Sequence, residues 1–286
     1  MHTGQPHFTL YSSPASQWAG VPLLGLAEKG YDEKEYELKN VDLMGAGNFH
    51  PDYVKINRNG TIPSLTSPAL AKPLIESADI LVYINEFQPT GTNLAPKDDA
   101  TAQTVKQLID LVHSDHVSTN IILLQARDPE EIKVKQESPF KDFLRTRQDV
   151  LEKNCKQFPD NEFYEGRRQA NGAIYNHYLS SDDHLGFFQQ SHDDFRGFAA
   201  GLDRLEELLV LPYAAGSEVT YADLNIVPWL SHALWGAGAK ELDDFDSLER
   251  LLQKTVPGFK IGPKTKEWWA NMMKRESFQK VYPHLH

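Results

Sequence analysis

The sequence predicts an α/β domain over residues 1–88 followed by an all-helical domain over residues 99–286. Three observations carry this reading. Short apolar or alternating segments and one apolar helical face succeed one another as βαβ and then ββα within the first 88 residues. Residues 88–98 are polar and hold Pro89 and Pro96, as an interdomain linker does. Beyond residue 99 the apolar positions recur at helical spacing and no segment alternates as a strand.

In order, Phe8 to Tyr11 alternates and predicts a strand, and Ser12 to Ala15, with Pro14, predicts a loop. Val21, Leu23, Leu24, Leu26 and Ala27 form a helical face closed by Gly30. Glu35 to Leu38 is a second strand, and a glycine-bearing stretch with Pro51 runs from Leu43 to Asn59. Ile62 to Thr66 is a third strand, and Leu74-Ile75 a fourth or a strand end. A helix starts near Ser77 and runs through Ile80, Leu81, Ile84 and Phe87. Helices on both sides of a small mixed sheet make this a thioredoxin-like domain. In the second domain, Ala100 to Arg127 reads as one long amphipathic helix and Phe195 to Val210 as another. Residues 128–192 are polar and read as an insertion with one helix, Phe140 to Lys156. Tyr221 to Trp235, Leu248 to Leu252 and Glu267 to Tyr282 complete the helices.

Of the 286 residues, 40% are hydrophobic and 24% charged, which predicts a packed core. The net charge of −11, from 29 basic and 40 acidic residues, disfavours nucleic acid and anionic membranes, both of which select a basic face. A single cysteine, Cys155, allows no intrachain disulfide and fits a reducing compartment. The first residues have neither the basic nor the apolar region of a secretion signal, and no apolar run is long enough to cross a bilayer. A cytoplasmic protein is expected.

Two motifs carry chemistry. Asn57-Arg58-Asn59-Gly60-Thr61-Ile62-Pro63 is a turn entering a strand. A cis Ile62-Pro63 bond would expose the Ile62 backbone to an extended peptide, whereas a trans bond would make Pro63 an ordinary loop proline. Ile75-Glu76-Ser77 lies where a strand gives way to a helix. That helix N-terminus would attract a carboxylate, with Ser77 and Glu76 adding polar contacts, or Ser77 and Glu76 would simply cap it.

Together these motifs resemble the cytosolic glutathione transferase superfamily, in which N-x-x-G-x-I/V-P is followed by apolar-E-S at a helix start. The second domain adds a match: Leu205 to Leu209, the turn Pro212 to Gly216, then Thr220-Tyr221-Ala222-Asp223 resembling that family's buried capping box, and the tail Trp268 to Tyr282. The resemblance covers residues 8–90 and 194–282 and implies an all-helical glutathione-transferase C-terminal domain. It implies glutathione as co-substrate with no other cofactor and no metal, a small hydrophobic electrophile, and a homodimer. Ile62 and Pro63 would meet the cysteinyl part of glutathione, and Glu76 and Ser77 the γ-glutamyl end. His50, Asn48 and Lys55 are the candidates for the glycine carboxylate.

Glutathione transfer requires a thiolate, and a hydroxyl donating to sulfur favours that anion. Pro14-Ala15-Ser16 resembles the activating-serine motif of the phi class, and Ser16-Gln17 that of the theta class, so Ser16 is the first catalytic candidate, Ser13 the second and Ser12 the third. Pro22 places the start of the first helix near Trp18 to Val21, which leaves Ser16 in a loop. No cysteine lies in this segment, so a thiol-disulfide mechanism is not expected. His113 and His116 would face the electrophile pocket; Trp229 and Trp235 are expected in the core, and Phe163, Tyr164, Tyr175 and Tyr178 in surface packing. The expected activity is conjugation of glutathione to an electrophilic carbon, with peroxide reduction or ether and thioether cleavage as variants. The alternative is a protein that binds glutathione or an apolar ligand without turnover.

Overall fold

The computed structural model describes residues 6–88, 90–180 and 184–285. The first domain is built on β1 (Phe8–Ser12), α1 (Gly20–Lys29), β2 (Tyr36–Asn40), α2 (Pro51–Ile56), β3 (Ser64–Thr66) and α3 (Ser77–Phe87). Its sheet has the order β2-β1-β3, with β2 parallel and β3 antiparallel to β1, so Leu10 lies opposite both Leu38 and Leu65. The expected fourth strand is a single antiparallel bridge, Leu65 to Leu74, closed by backbone bonds of 2.8 and 2.9 Å. Phe8, Leu10, Leu26, Leu65, Ile80 and Ile84 pack between the sheet and the helices α1 and α3.

The start of α1 reconciles Pro22 with a helix. Gln17–Ala19 form a 3₁₀ turn, the α-helix begins at Gly20, and Pro22 falls in its first turn, where an N–H has no intrahelical acceptor to lose. Gly20 is required by close approach: a Cβ there would lie 2.0 Å from the Tyr282 hydroxyl and 3.1 Å from Pro228. Gly30 ends the helix in the left-handed conformation at φ 69°, which glycine adopts without strain.

The second domain comprises α4 (Asp99–Val112), α5 (Asn120–Leu124), α6 (Pro129–Gln136), α7 (Pro139–Gln157), α8 (Glu162–Leu179), α9 (Leu185–Leu208), α10 (Tyr221–Gly236), α11 (Phe245–Gln253), α12 (Pro263–Met273) and α13 (Glu276–Val281). α10 is its axis, buried along nearly its whole length and packed by α1, α4, α11 and α12. Its capping box is formed: Asp223 accepts from the backbone N–H groups of Thr220 (2.8 Å) and Ala214 (2.7 Å), and from Trp268 Nε1 (2.8 Å). Glu28 of α1 forms a bidentate pair with Arg275, at 2.6 and 2.7 Å, which ties the first domain to the C-terminal helices.

Four expectations are corrected. The long helix over 100–127 is instead α4, a 3₁₀ turn at Asp115–Val117, and α5. Ser114 is extended, and the turn is fixed from outside by Trp229 Nε1 donating to the Val117 carbonyl at 2.7 Å. Residues 128–192 hold three full helices and the first turns of α9, not one helix. Their starts are set by local caps: Asp128, Ser138 and Asn161 each accept from a following backbone N–H, and Pro129 and Pro139 occupy first-turn positions. Tyr164 and Tyr178 are buried in two satellite cores and not on the surface. The last predicted helix is two, broken at Arg275, whose extended backbone places its guanidinium on Glu28.

Candidate functional site

The loop after β1 brings Ser16 against the entry to β3. Ser16 is the N-cap of the 3₁₀ turn, yet its hydroxyl does not cap it. It donates instead to the carbonyl of Ile62 at 3.0 Å, across 46 residues of chain. The Ile62-Pro63 bond is cis, and among the described residues the Ile62 N–H donates to no protein acceptor. The neighbouring backbone is held firmly. Tyr53 Oη and Asn57 Nδ2 both donate to the Thr61 carbonyl at 2.7 Å, and Asn57 Nδ2 also donates to Ser64 Oγ at 2.9 Å. With the Tyr53 proton given to Thr61, Ser64 must donate to Tyr53 Oη at 2.9 Å. Ser13 and Ser12 are buried, and Ser13 supports the loop through its carbonyl, which accepts from the Ser16 N–H at 3.0 Å.

At the start of α3, Glu76 is the N-cap and Ser77 the first helical residue, which is buried. The Glu76 side chain does not cap the helix, which leaves its first N–H groups and positive dipole end for another acceptor. Partial burial and then the nearby Asp79 raise the Glu76 carboxyl above its ordinary range, and Asn59, donating at 3.4 Å, opposes them.

The three candidates for a glycine carboxylate are otherwise engaged. Asn48 is 3% exposed and its amide donates to the Gly60 carbonyl at 2.7 Å. His50 caps α2, its Nδ1 accepting from the Asp52 N–H at 3.3 Å, and Lys55 binds Asp52 at 2.7 Å on the surface.

Beside Ser16 opens a cavity of about 540 Å³ between the two domains. Pro14, Ala15 and Gln17 form one side; Leu123 and Leu124 of α5, Phe140 and Phe143 of α7, and Trp235 of α10 form the other. Its polar edge is a chain of three side chains: Gln17 accepts from the Thr119 hydroxyl, which bonds His232 Nδ1 at 2.8 Å. His232 in turn lies parallel to Trp235, with ring centroids 5.5 Å apart.

His113 and His116 do not line this cavity. His113 stacks on Trp18 at 3.9 Å and bonds Asn225 at 2.8 Å, while His116 is exposed within the 3₁₀ turn. Trp229 is in the core as expected, but Trp235 is 42% exposed and faces the cavity, which corrects its assignment to the core. Sequence reasoning also passed over Phe140, Phe143 and His232. The spacing of His232 and Trp235, three apart at the end of an otherwise apolar helix, was a signal that this end of α10 meets something other than core. Cys155 lies apart from the site; burial and Glu165 raise its thiol pKa, the opposite of activation.

Residues 10–91 match the family model of the glutathione S-transferase N-terminal domain. Over that stretch the chain is similar to the glutathione S-transferase N-terminal domain. Over 111 residues it is 29% identical to a glutathione S-transferase domain-containing protein of Dictyostelium discoideum, an alignment covering 36% of this chain and 43% of that one. The chain therefore spans less than half the length of the curated relatives it matches. The transferase fold extends over both domains. Glutathione transferase F7 from Populus trichocarpa superposes at a TM-score of 0.59 and 22% identity, covering 98% of this chain and 99% of that one. The beta-etherase LigF of Sphingobium sp. strain SYK-6 superposes at 0.64 and 19% identity, covering 97% and 99%. At these identities the likeness is one of fold, and it includes the helical domain that the family model leaves out.

Proposed function

We propose that the protein is a serine-type glutathione transferase in which Ser16 stabilises the glutathione thiolate. The observation that carries this reading is the 3.0 Å bond from Ser16 Oγ to the Ile62 carbonyl. It supports a hydroxyl standing at the backbone edge where the cysteinyl part of glutathione would pair with Ile62. The free N-terminus of α3, with Ser77 and Glu76, supports the γ-glutamyl end at the other side of the same stretch. In turnover, rotation of the Ser16 side chain redirects its O–H hydrogen bond from the Ile62 carbonyl to the sulfur, and the thiolate so favoured forms as the thiol proton passes to solvent. The sulfur lone pair then forms the C–S bond to an electrophilic carbon held in the apolar cavity, and the leaving group departs with its bonding electrons. The cavity, walled by Phe140, Phe143 and Trp235, fits a flat aromatic electrophile of modest size. A homodimer remains the expected assembly.

The second reading is binding without turnover. It is favoured by the same bond: the Ser16 proton already has an acceptor, and a hydroxyl that keeps it cannot serve the sulfur. An ultraviolet titration of bound glutathione separates the two. Under the transferase reading the bound thiol ionises well below its solution pKa and Ser16→Ala reverses this. A bound thiol that titrates as in solution sinks the catalytic reading and leaves the binding one.

A further inference from the structure

Arg147 lies on α7, in the segment read from sequence as an insertion, and it packs against the first domain. Its guanidinium carbon lies 4.5 Å from the ring centroid of Phe49, in the loop before α2, and 5.0 Å from that of Phe143, a wall of the cavity. The stacking is firm because the loop is clamped to the same helix: Asn154 donates to the Phe49 carbonyl at 2.9 Å. A second guanidinium, Arg167 of α8, lies near enough to act on the first, stacks on Phe163 and donates to the Asn59 carbonyl at 2.8 Å.

Among the described residues no carboxylate forms an ion pair with either guanidinium. Among the described residues Arg147 has neither a hydrogen-bond nor an ion-pair partner. Half-burial and then Arg167 depress its pKa to about 10, with no acidic group acting against them. In a chain of net charge −11, where every other half-buried arginine with a resolved shift is paired to an acid, this is an unfilled anion position. Its planar donors are fixed by two rings, which suits a planar carboxylate. It also lies on the loop 46–50, where Asn48 and His50 are already committed to backbone partners and Lys55 of α2 to Asp52.

We propose that Arg147 is the carboxylate anchor of the ligand site, supplied to the first domain by the helical insertion. The inference rests on the transferase reading of that site. Two sources could bring the carboxylate: the glycine end of glutathione, or an acid group on the electrophile in the adjoining cavity. Calorimetric titration of glutathione and of its glycine ethyl ester, with the wild type and Arg147→Gln, distinguishes them. If the glycine end is the source, the wild type binds the acid about tenfold more tightly than the ester, and Arg147→Gln erases that preference by weakening the acid alone. If the electrophile is the source, Arg147→Gln leaves both titrations unchanged but raises KM about tenfold for 4-chloro-3-nitrobenzoate and not for its methyl ester. A wild type that binds no glutathione fails the transferase reading itself. A wild type that binds glutathione, with Arg147→Gln melting normally and neither preference altered, overturns the anchor alone. Should Arg147→Gln not fold, Arg147→Lys keeps the charge and loses the planar fork; unaltered preferences for both acids in that variant overturn the anchor, and a reduced preference for either supports it.

Discussion

Ser16 Oγ donates to the carbonyl of Ile62 at 3.0 Å. The bond joins the loop after the first strand to the residue before the cis proline, and it fixes where the serine hydroxyl stands before any ligand arrives. Ser16→Ala is expected to lower kcat by about 10²- to 10³-fold and to weaken glutathione binding only about severalfold, because the bond it removes stabilises the bound thiolate while the other glutathione contacts remain. Ser13→Ala is expected to leave the thiolate pKa where it was, since Ser13 serves the loop through its backbone. Stopped-flow thiolate absorbance on both variants tests the pair of outcomes.

Asp223 accepts from two backbone N–H groups and the Trp268 indole in a fully buried setting. Asp223→Ala leaves these three donors and the Thr220 hydroxyl without their acceptor and should destabilise the protein by about 3–5 kcal/mol. Asp223→Asn retains one acceptor oxygen and should lose less. Urea melts of the two variants give the order.

Arg127 is 1% exposed at its side chain and pairs with Glu131 at 2.6 Å; Glu131 also accepts from Lys254 at 2.9 Å. Burial by itself would raise the Glu131 pKa, but Arg127 and Lys254 outweigh it and bring the carboxyl to about 2, from an ordinary 4.5. A lowered folded-state pKa means the stabilisation is complete above about 4.5 and is lost as pH falls towards 2. The contribution is of order 3 kcal/mol. Glu131→Gln should therefore cost about 3–5 kcal/mol at pH 7, and its deficit against the wild type should shrink below pH 4. Denaturation midpoints that fall in parallel for both proteins down to pH 2.5 would contradict this.

Trp235 lines the cavity with His232 nearly parallel to it and Phe140 steeply inclined to it, at 5.5 and 6.4 Å between centroids. Trp235→Ala is expected to raise KM for a nitroaromatic electrophile about two- to tenfold and leave KM for glutathione unchanged. Steady-state kinetics with each substrate varied in turn tests it.

What was legible in the sequence was what neighbours along the chain decide. Gly30 ends α1, and Thr220 with Asp223 opens α10, because caps act over three or four residues. Glu76, Ser77, Ile62 and Ser16 were nameable as candidates because their short motifs resemble those of the glutathione transferases, and the fold of the described residues is similar to that of solved glutathione transferases. The helices of 128–192 were equally local in their caps, yet were obscured because their apolar residues serve small satellite cores and not one continuous stripe.

The tertiary structure decided everything that depends on residues far apart. No pattern near His113 announces the break between α4 and α5, because it is enforced by Trp229, 112 residues on. Trp229 and Trp235 have the same residue type on the same helix, and only their neighbours put one in the core and the other in the cavity. Ser16 meets Ile62, and Arg147 meets Phe49, because packing brings distant backbone together after each local segment is set. Sequence fixes segments through short-range caps and periodicity; the chemistry of a site is a matter of which distant segments bury one another.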